Sequence, residues 1–287
     1  MRSATGPWFS TCAGAYRVTA WPDLPDYAAV IGDGSDVTTI GYAGDGPLIA
    51  LRGKHRVSFK RLGIYVTGAT GAAVSLSECF RCSFDSVVLR GGHVSTNYPE
   101  FTQQRGVILD QNTGGTAFIN CDVNNFGIGL TTRCIQNYVT SSKFTSNYVG
   151  VLGTGNDHSA GLSMVNVEFV SDTDPNTTDK HVLIDGAAND WWLTNVWFEG
   201  ADIALSIGNR DRGGARAIRP GQLQGRSTLG VHGPGVLPAA LPCQRPVRFG
   251  YPAAGNRSPR RFRGVSGRHR RQSALQHSFR HRSEIVP

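Results

Sequence analysis

The hexapeptide Met164-Val165-Asn166-Val167-Glu168-Phe169 decides the fold of this chain, because its apolar residues at the first, fourth and sixth positions recur along the sequence. Six copies of this h-x-x-h-x-h pattern, where h is apolar, begin 21 to 34 residues apart, and a serine replaces the middle apolar residue in the fourth copy. A unit of this length cannot bury its own apolar face, so neighbouring units must stack to build a core. The copies are Phe59-Leu62-Ile64, Phe84-Val87-Leu89, Phe118-Cys121-Val123, Val139-Ser142-Phe144, Met164-Val167-Phe169 and Leu193-Val196-Phe198.

A second apolar element alternates with the first and has two apolar residues separated by one position. Apolar and polar residues alternate with a period of two in both elements, which indicates strands, and no stretch sustains a helical stripe. Two or three short strands in each turn of about 21 residues predict an all-β fold, the right-handed, single-stranded parallel β-helix, which is a β-solenoid. We align the copies of the second element as Ile49/Leu51, Val74/Leu76, Val107/Leu109, Ile128/Leu130, Val149/Val151, Val182/Ile184 and Ile203/Leu205.

Three segments near the start resemble the opening of pectate-lyase-like β-helix domains: Gly14-Ala15-Tyr16-Arg17-Val18, residues 30–40 and Leu48-Ile49-Ala50-Leu51. Val165-Asn166-Val167-Glu168-Phe169 and Gly127-Ile128-Gly129-Leu130 are similar to the repeats that follow in that superfamily. Bacteriophage tailspikes and many secreted polysaccharide-processing enzymes share this fold, and the resemblance covers roughly residues 14 to 210. It implies a right-handed parallel β-helix, but it does not select one activity, because the scaffold hosts many.

Charge and composition divide the chain into a cap with the first coil (residues 1–45), the β-helix (46–210) and a tail (211–287). The tail contains 15 Arg but two acidic residues, and its Gly, Pro, Arg and Ser residues show no repeat. We predict a disordered basic tail, because it cannot bury enough apolar surface to offset the entropy of ordering. Out-of-frame translation of a GC-rich gene is the alternative. The lack of interleaved aromatic residues in the tail argues against nucleic acid as a partner.

The sequence also bears on location and assembly. It contains no run of 18 apolar residues, so we expect no membrane partner, and no signal peptide is visible in this chain. The resemblance to tailspikes and secreted enzymes implies an extracellular or virion-associated protein, and a fragment of a longer spike or enzyme is one expectation. Trimers are common among spikes with this fold, so a homotrimer is possible. The sequence contains no heptad repeat that would indicate one.

Equivalent residues of successive coils lie above one another at the interstrand spacing of about 4.8 Å, so aligned positions form columns. We predict Asp122 and Glu168, two coils apart, as acid/base catalysts at the carboxyl separation that inverting glycosidases use. Lys143 between them would steady a sugar carboxylate or lower the pKa of either acid, and Trp197 would stack on a sugar ring. An ordinary cross-strand charge ladder is the alternative. This outward column reads Gly63, Val88, Asp122, Lys143, Glu168 and Trp197.

A third set of aligned positions lies just before the middle apolar residue of each copy. Asn and Ser dominate this set, and both residue types tolerate tight turns and hydrogen-bond to neighbouring backbone. We therefore predict a structural column in which successive coils are linked by side-chain hydrogen bonds. Its members are Arg61, Ser86, Asn120, Ser141, Asn166 and Asn195.

Two repeats are longer than the others, with extra residues 91–102 and 171–180 between the same two elements. Both loops should therefore leave the same corner of the solenoid and form the walls of a groove about three coils wide, on the order of 15 Å. Functional residues concentrate on loops held by rigid scaffolds. The predicted substrate-binding residues of this groove are Tyr98, Tyr148, Asp172 and Asp174, and further groove candidates are His93, Glu100 and Asp179.

Two motifs bear on metals. Asp172-x-Asp174 offers clustered oxygens to Ca²⁺, although the spacing does not complete a calcium loop, and we predict no other metal or cofactor. Cys79-x-x-Cys82 has no second pair to complete a zinc site. We therefore expect the six cysteines to be mostly buried, reduced thiols.

The resemblance and the outward column together predict a protein that binds or cleaves a polysaccharide or surface glycan. Cleavage would make it a glycoside hydrolase or a polysaccharide lyase that uses carboxylate acid/base chemistry, and the cluster Trp191-Trp192 with Trp197 supports sugar contact. The paired aspartates, Gly-His-Gly and Arg-x-Lys elements of related pectin hydrolases are not intact, so their activity does not transfer residue by residue. The alternatives are a non-catalytic structural or adhesion β-helix and a truncated, inactive fragment.

Overall fold

The chain winds as an all-β parallel β-solenoid, which confirms the predicted fold class. The computed structural model describes residues 7–110, 112–133, 135–154, 161–184, 189–207, 216–220, 223–225 and 228–231. The chain contributes strands to three parallel stacks in the order first, second, third in each coil, meaning one turn of the chain, except that the first coil has strands only in the first and second stacks. The first and second stacks are joined into one sheet by two long strands, whereas the third stack is a separate sheet.

The strands of the three stacks have the following bounds. The first stack contains β1 (Trp8–Thr11), β3 (Ala29–Gly32), β6 (Ser58–Lys60), β9 (Ser83–Asp85), β12 (Ala117–Ile119), β15 (Asn137–Thr140), the first halves of β18 (Leu162–Val170) and β20 (Asn189–Glu199), and β22 (Arg216–Pro220). The second stack contains β2 (Gly14–Arg17), β4 (Thr38–Tyr42), β7 (Gly63–Val66), β10 (Val88–Arg90), β13 (Asp122–Asn124), β16 (Lys143–Thr145), the second halves of β18 and β20, and β23 (Leu223–Gly225). The third stack contains β5 (Pro47–Arg52), β8 (Ala72–Ser77), β11 (Arg105–Asp110), β14 (Ile128–Thr132), β17 (Val149–Gly153), β19 (Lys180–Ile184), β21 (Ile203–Ile207) and β24 (Thr228–Val231), and a single turn of 3₁₀ helix covers Ser95–Asn97.

The apolar residues of the six repeat copies form continuous columns inside the solenoid, as the repeat predicts. Phe84 pairs in register with Phe59 on one side and Phe118 on the other. The rings stack at 5.1 and 4.9 Å between centroids, with interplanar angles of 9° and 6°. All eighteen positions of the six copies are buried, including Ser142, whose hydroxyl donates to the Thr140 carbonyl at 2.9 Å. This bond explains how the fourth copy tolerates a polar residue in the interior.

A left-handed backbone turn separates the first stack from the second in each of the six repeat copies. The residues of the predicted structural column all have φ between 48° and 56°, a region that Asn adopts more readily than most residues. Asn195 donates its side-chain amide to Asn166 Oδ1 at 2.7 Å, and Asn120 donates to Ser86 Oγ at 3.2 Å. The column is therefore structural, and it is linked by hydrogen bonds at these two steps.

The alignment of the second apolar element was wrong by two residues in three of its copies. Leu130, not Ile128, pairs with Val107, and Val182 is flanked by Val151 and Leu205 in the third stack. A slip of two residues keeps every side chain on the same face, so the apolar pattern cannot detect it. The corrected register places Asp110 opposite Arg133, where the carboxylate and guanidinium meet at 3.0 Å.

The three stacks continue into the segment after residue 210, where we predicted that the repeat ends. β22 and β23 pair with β20, and β24 pairs with β21. Pro220 and Gly225 take the first and third apolar positions of this coil, opposite Leu193 and Phe198, so the sequence pattern is lost although the register continues. Residues 232–287, on which the predictions of disorder and of out-of-frame translation mainly fall, lie outside the described residues.

Candidate functional site

The four predicted residues of the outward column lie in one line on the outer face of the second stack. Asp122 pairs with Lys143, Lys143 with Glu168, and Glu168 with Trp197. Because each step is one strand spacing, the Asp122 and Glu168 backbones are about 10 Å apart. The sequence prediction of a common column is confirmed, and its chemical role stays a prediction.

Lys143 and Glu168 form an ion pair on this face. The ammonium nitrogen lies 3.7 Å from Glu168 Oε2, and the two side chains are 42% and 58% exposed. Trp197 is also 42% exposed and donates its indole N–H to Glu199 Oε2 at 3.2 Å. A ligand in this line would therefore meet a carboxylate, an ammonium and an indole ring, each accessible to solvent.

Asp122 differs electrostatically from the other members of the column. Partial burial raises the pKa of its carboxyl above the ordinary value, Lys143 and Arg90 oppose this, and Asp36 and Glu168 add to it. Lys143 lowers the pKa of this acid, as predicted, but desolvation of the carboxylate outweighs the attraction of the ammonium, so the pKa of Asp122 is raised overall. A raised pKa is the property that a carboxylic acid needs to donate a proton near neutral pH.

A loop of residues 33–37 lies at the lower end of the column and was missed by sequence reasoning. The loop takes the place of the left-handed corner between β3 and β4, and the Ser35 carbonyl would lie 2.4 Å from a Cβ on Gly63. Gly63 is therefore required for this close approach. Asp36 in the same loop acts on the Asp122 carboxyl through space. The signal available in the sequence was the longer spacer between the apolar residues Val30 and Ile40, which pair with Phe59 and Ile64.

Arg90 is a second residue of this site that sequence reasoning missed. It follows Val88 by two positions and so faces the same side of β10. Its guanidinium carbon lies 5.6 Å from the centre of the Tyr65 ring, a cation–π arrangement on the adjacent strand β7. We define the charged face by its members, which are Asp36, Arg90, Asp122, Lys143, Glu168 and Trp197.

The two long loops do not stand apart as the walls of an open groove. Buried His93 of the first loop bonds through Nε2 to the Thr177 carbonyl of the second at 2.9 Å. The His93 ring also packs edge-on against Tyr148, with 5.8 Å between the centroids. The predicted groove is therefore closed at this point, because the His93 ring of the first loop reaches the backbone of the second loop beside the short turn at Tyr148.

The predicted substrate-binding residues of the loops are occupied by bonds within the loops. The hydroxyls of Tyr98 and Tyr148 are 3.4 Å apart, and this contact with Tyr98, together with burial, raises the pKa of Tyr148. Asp172 accepts from the Asp174 amide at 3.0 Å and from the Thr177 hydroxyl at 3.2 Å, while Asp174 accepts from the Asn176 amide at 2.9 Å. These contacts shape the second loop, and none of the four residues lies in the outward column.

The three tryptophans of the predicted cluster do not lie together: one is inside the solenoid, and the other two are on the outer faces of different stacks. Trp191 is fully buried, and a Cβ on Gly153 would lie 2.4 Å from its ring. Trp192 and Trp197 are each 42% exposed, but they belong to the first and second stacks respectively. The prediction that all three contact sugar is therefore wrong for Trp191, because neighbours in a strand point to opposite faces.

Cysteines and metal ligands show no further centre within the described ranges. Cys79, Cys82 and Cys121 are buried free thiols, as predicted, whereas Cys12 is exposed; Cys134 and Cys243 lie outside the described residues. Burial raises the pKa of Cys121 to about 12. No group of three or more His, Cys, Asp or Glu side chains that could hold a metal ion is found among the residues that the structure describes.

The known proteins that resemble this chain are solved structures. No protein-family model matches the chain, and no curated protein matches it. ORF18 of Geobacillus virus E2 is a similar solved structure with 12% identity and a TM-score of 0.49; the match covers 82% of this chain and 55% of that one. The chain thus spans about half the length of that viral protein.

Two further solved structures are similar over most of this chain. The A-module of the Azotobacter vinelandii mannuronan C-5 epimerase AlgE6 has 12% identity and a TM-score of 0.38, and the match covers 81% of this chain and 89% of the module. The catalytic domain of a GH87 α-1,3-glucanase in complex with nigerose has 8% identity and a TM-score of 0.26, with 80% of this chain and 62% of that one covered. The activities of these proteins are not carried over to this chain.

In the described part of the chain, no helix is long and apolar enough to cross a membrane.

Proposed function

We propose that this chain binds a polysaccharide along the charged face of the second stack. The observation that carries the proposal is the in-register line Asp122–Lys143–Glu168–Trp197, whose members are regularly spaced along the solenoid. A glycan chain laid parallel to the solenoid axis would meet alternating hydrogen-bond acceptors and a donor. Trp197 supplies a partly exposed ring against which a sugar can pack.

Electrostatics favours a ligand that is polar rather than purely apolar at this face. The Lys143–Glu168 pair is exposed, so both charged groups are within reach of a ligand and can exchange bound water for sugar hydroxyls. Asp122 is partly buried and carries a raised pKa, so a hydroxyl that donates to its carboxylate would replace part of the lost solvation. These contacts are of the kind that fix sugar orientation, whereas the indole contributes apolar contact. We place this activity outside the producing cell or on a virion, where polysaccharide is accessible.

Binding is tested by affinity electrophoresis of the full chain in gels that contain bacterial capsule, pectin or alginate. We expect slower migration in at least one polymer and weaker retardation for Asp122→Asn and Glu168→Gln. Asp23→Asn is the matched control, because Asp23 is an exposed carboxylate in the segment between β2 and β3, outside the charged face and the two long loops. Retardation that is unchanged in both face variants would refute the assignment of this surface.

Acid/base cleavage is the second candidate, and the raised pKa of Asp122 is the observation that favours it. Asp122 would protonate the leaving oxygen and Glu168 would activate water, because their backbone separation of about 10 Å is compatible with the 6.5–9.5 Å between carboxyls of inverting enzymes. Since Asp122 must be protonated to act, release of reducing ends should fall as pH rises through its raised pKa. Oligosaccharide release analysed by NMR should show inverted anomeric configuration.

Product release and gel retardation, measured on the same variants, distinguish cleavage from binding alone. If cleavage occurs, Asp122→Asn should abolish product release while it retains measurable retardation in the gel. Retardation without any release of oligosaccharide in the wild type would support a binding or adhesion role and reject the hydrolase and lyase alternatives for the polymers used.

A further inference from the structure

We infer that the outer face of the first stack, from β12 to β20, is a second binding surface, and that it takes a single strand of neutral polysaccharide. This neutral face consists of two outward columns over four coils and carries no charged residue. It is separate from the charged face, so the inference goes beyond the function proposed above. Its eight members are Ala117, Tyr138, Ser163 and Trp192 in one column and Ile119, Thr140, Val165 and Thr194 in the other.

The composition of the neutral face changes abruptly at its lower border. In the two preceding coils the positions below Ile119 are held by Asp85 and Lys60. Above that border, three large side chains are exposed although they are apolar or aromatic: Ile119 at 44%, Tyr138 at 42% and Trp192 at 42%. Exposed apolar groups that cluster in this way mark interaction sites more often than isolated ones do. The eight members offer no opposite charge to offset the desolvation of a strongly ionic partner. Charged residues occur only beyond the two ends of the face, at Asp85 below it and at Arg219, which pairs with Trp192, above it.

The spacing along the neutral face suits a linear polymer. Tyr138 and Trp192 occupy the same column with Ser163 between them, so their backbones are about 10 Å apart, two strand spacings. That separation is roughly the length of a disaccharide. Aromatic rings at this interval offer flat apolar contact to alternate sugar rings. The hydroxyls of Thr140, Ser163 and Thr194 can donate to and accept from sugar hydroxyls beside them.

The size of the face argues against a protein partner. Four coils by two outward positions span about 200 Å², from the strand spacing and the rise per residue. A stable protein–protein interface buries about 800 Å² on each partner, so a second copy of this chain would find only a fraction of the area it needs. A narrow ligand such as one glycan strand fits the available width.

Backbone pairing excludes recognition of a peptide by strand addition at this face. β12 pairs with β9 and β15, β15 with β12 and β18, and β18 with β15 and β20. β20 is itself covered by β22. Strand addition needs a free sheet edge, and these strands lie in the middle of the sheet. Recognition must therefore come from side chains, which on this face are rings, methyl groups and hydroxyls.

The inference is tested by affinity electrophoresis of the full chain in dextran, in glucomannan and in alginate. We expect retardation by at least one of the two neutral polymers. The double variant Tyr138→Ala/Trp192→Ala should bind that polymer at least tenfold more weakly, while circular dichroism shows the same β-sheet content as in the wild type because neither side chain belongs to the buried core. If Trp197→Ala weakens the retardation by that neutral polymer and the double variant does not, the polymer binds the charged face and the inference is overturned.

The control is Tyr27→Asn, which removes a ring that is 53% exposed at a position where φ is 63° and Asn is tolerated. It should bind as the wild type does. Three results would overturn the inference: no retardation by either neutral polymer, equal retardation of the double variant, or a wild-type oligomer in light scattering that the double variant converts to a monomer. The last result would assign the face to a second copy of the chain. If Asp122→Asn loses alginate binding but still binds the neutral polymer, the two faces bind independently, as inferred.

Discussion

The first and second stacks share two strands, one spacing and one interior, yet their outer faces differ in chemistry. β18 and β20 run through both stacks, and the left-handed turns at Asn166 and Asn195 separate their halves. Outside these turns, one face carries eight uncharged residues and the other carries a line of acid, base, acid and indole. Two surfaces with different ligand preferences can thus be built on the same coils.

This difference shows which positions of a coil are constrained. Interior residues must fill the space between neighbouring coils at close packing, so in the six copies they are apolar at every position except Ser142. Outward residues have no such requirement, and a substitution there changes the surface without disturbing the stack. Function in this fold is therefore expected in the outward columns and in the loops, whereas the interior columns report stability. The predictions below test this separation, starting with the largest effect.

Removal of an interior ring should affect both faces together. Phe169 stacks between Phe144 at 5.0 Å and Phe198 at 5.1 Å and is fully buried. We expect Phe169→Ala to lower the free energy of unfolding by about 3–5 kcal/mol, as for other large-to-small core substitutions. Urea denaturation measures the change. Val165→Ala on the outer side of the same strand is the matched control, with an expected effect within about 0.5 kcal/mol. Equal effects would contradict the separation of inside from outside.

Acid should weaken the interior behind the second stack. His181 donates its Nε2–H to the Glu199 carbonyl at 2.9 Å and packs on Phe198. Burial lowers its pKa from 6.5 to about 4, so the unfolded chain binds a proton in that range and the folded chain does not. Stability is fully present above pH 6.5 and decreases as pH falls towards 4, by up to about 3 kcal/mol. Urea denaturation at a series of pH values gives the slope of the free energy of unfolding against pH.

His181→Phe is the matched variant for the pH experiment, because it keeps a ring at this position and removes the titrating group. Its slope between pH 6.5 and 4 should be shallower than that of the wild type. Buried His93, whose pKa is also lowered by burial, accounts for part of the slope that remains. An identical slope in the variant and the wild type would show that His181 does not titrate with folding.

The corner between the two faces should be sensitive to loss of Asn. Asn166 has φ of 54° and accepts the Asn195 amide at 2.7 Å. Asn166→Leu should cost about 1–2 kcal/mol of unfolding free energy, because branched side chains clash in the left-handed region. Asn166→Gly relieves that clash and should cost less, with only the hydrogen bond lost. Thermal or urea unfolding in which Leu and Gly behave alike would indicate that backbone strain is unimportant here.

The charged face should contribute little to stability. Lys143 and Glu168 are both largely solvated, and exposed ion pairs of this kind typically contribute at most about 1 kcal/mol. We expect Lys143→Met to change the free energy of unfolding by less than about 0.5 kcal/mol while it weakens retardation by polysaccharide. A large loss of stability in urea denaturation would show that the column is structural. It would contradict the proposal that interior residues set stability and outward residues do not.

The interior and the outward column could be predicted from the sequence because the coils stack with matching positions aligned. The pattern of Phe84, Val87 and Leu89 fixes three neighbouring columns at once, and every position between them then has a known direction. The third stack was harder to align, because its copies carry only two apolar residues and a slip of two keeps both inside. Pro220 and Gly225 concealed one further coil by replacing apolar residues at two of the three diagnostic positions.

Contacts between distant segments could not be read from the repeat. His93 and Thr177 are 84 residues apart, and their bond depends on how two loops fold over the turns around Tyr148. Asp36 was missed for the same reason, since its loop crosses the face of another coil to approach Asp122. The different placement of Trp191 and Trp192 could have been predicted. Neighbouring residues of a strand point to opposite faces, so one of the two had to be buried and the other exposed.

The short coil that begins at Asp122 pairs residue for residue with the coil that begins at Lys143, 21 positions later in the chain. Excision of residues 122–142 would therefore place Lys143 beside Val88 and shorten the solenoid by about 4.8 Å, while the coils that follow would keep their pairing with one another. The same arithmetic lets whole turns be duplicated. Length and surface chemistry can thus be varied in this polypeptide in discrete increments, as independent modules for engineering.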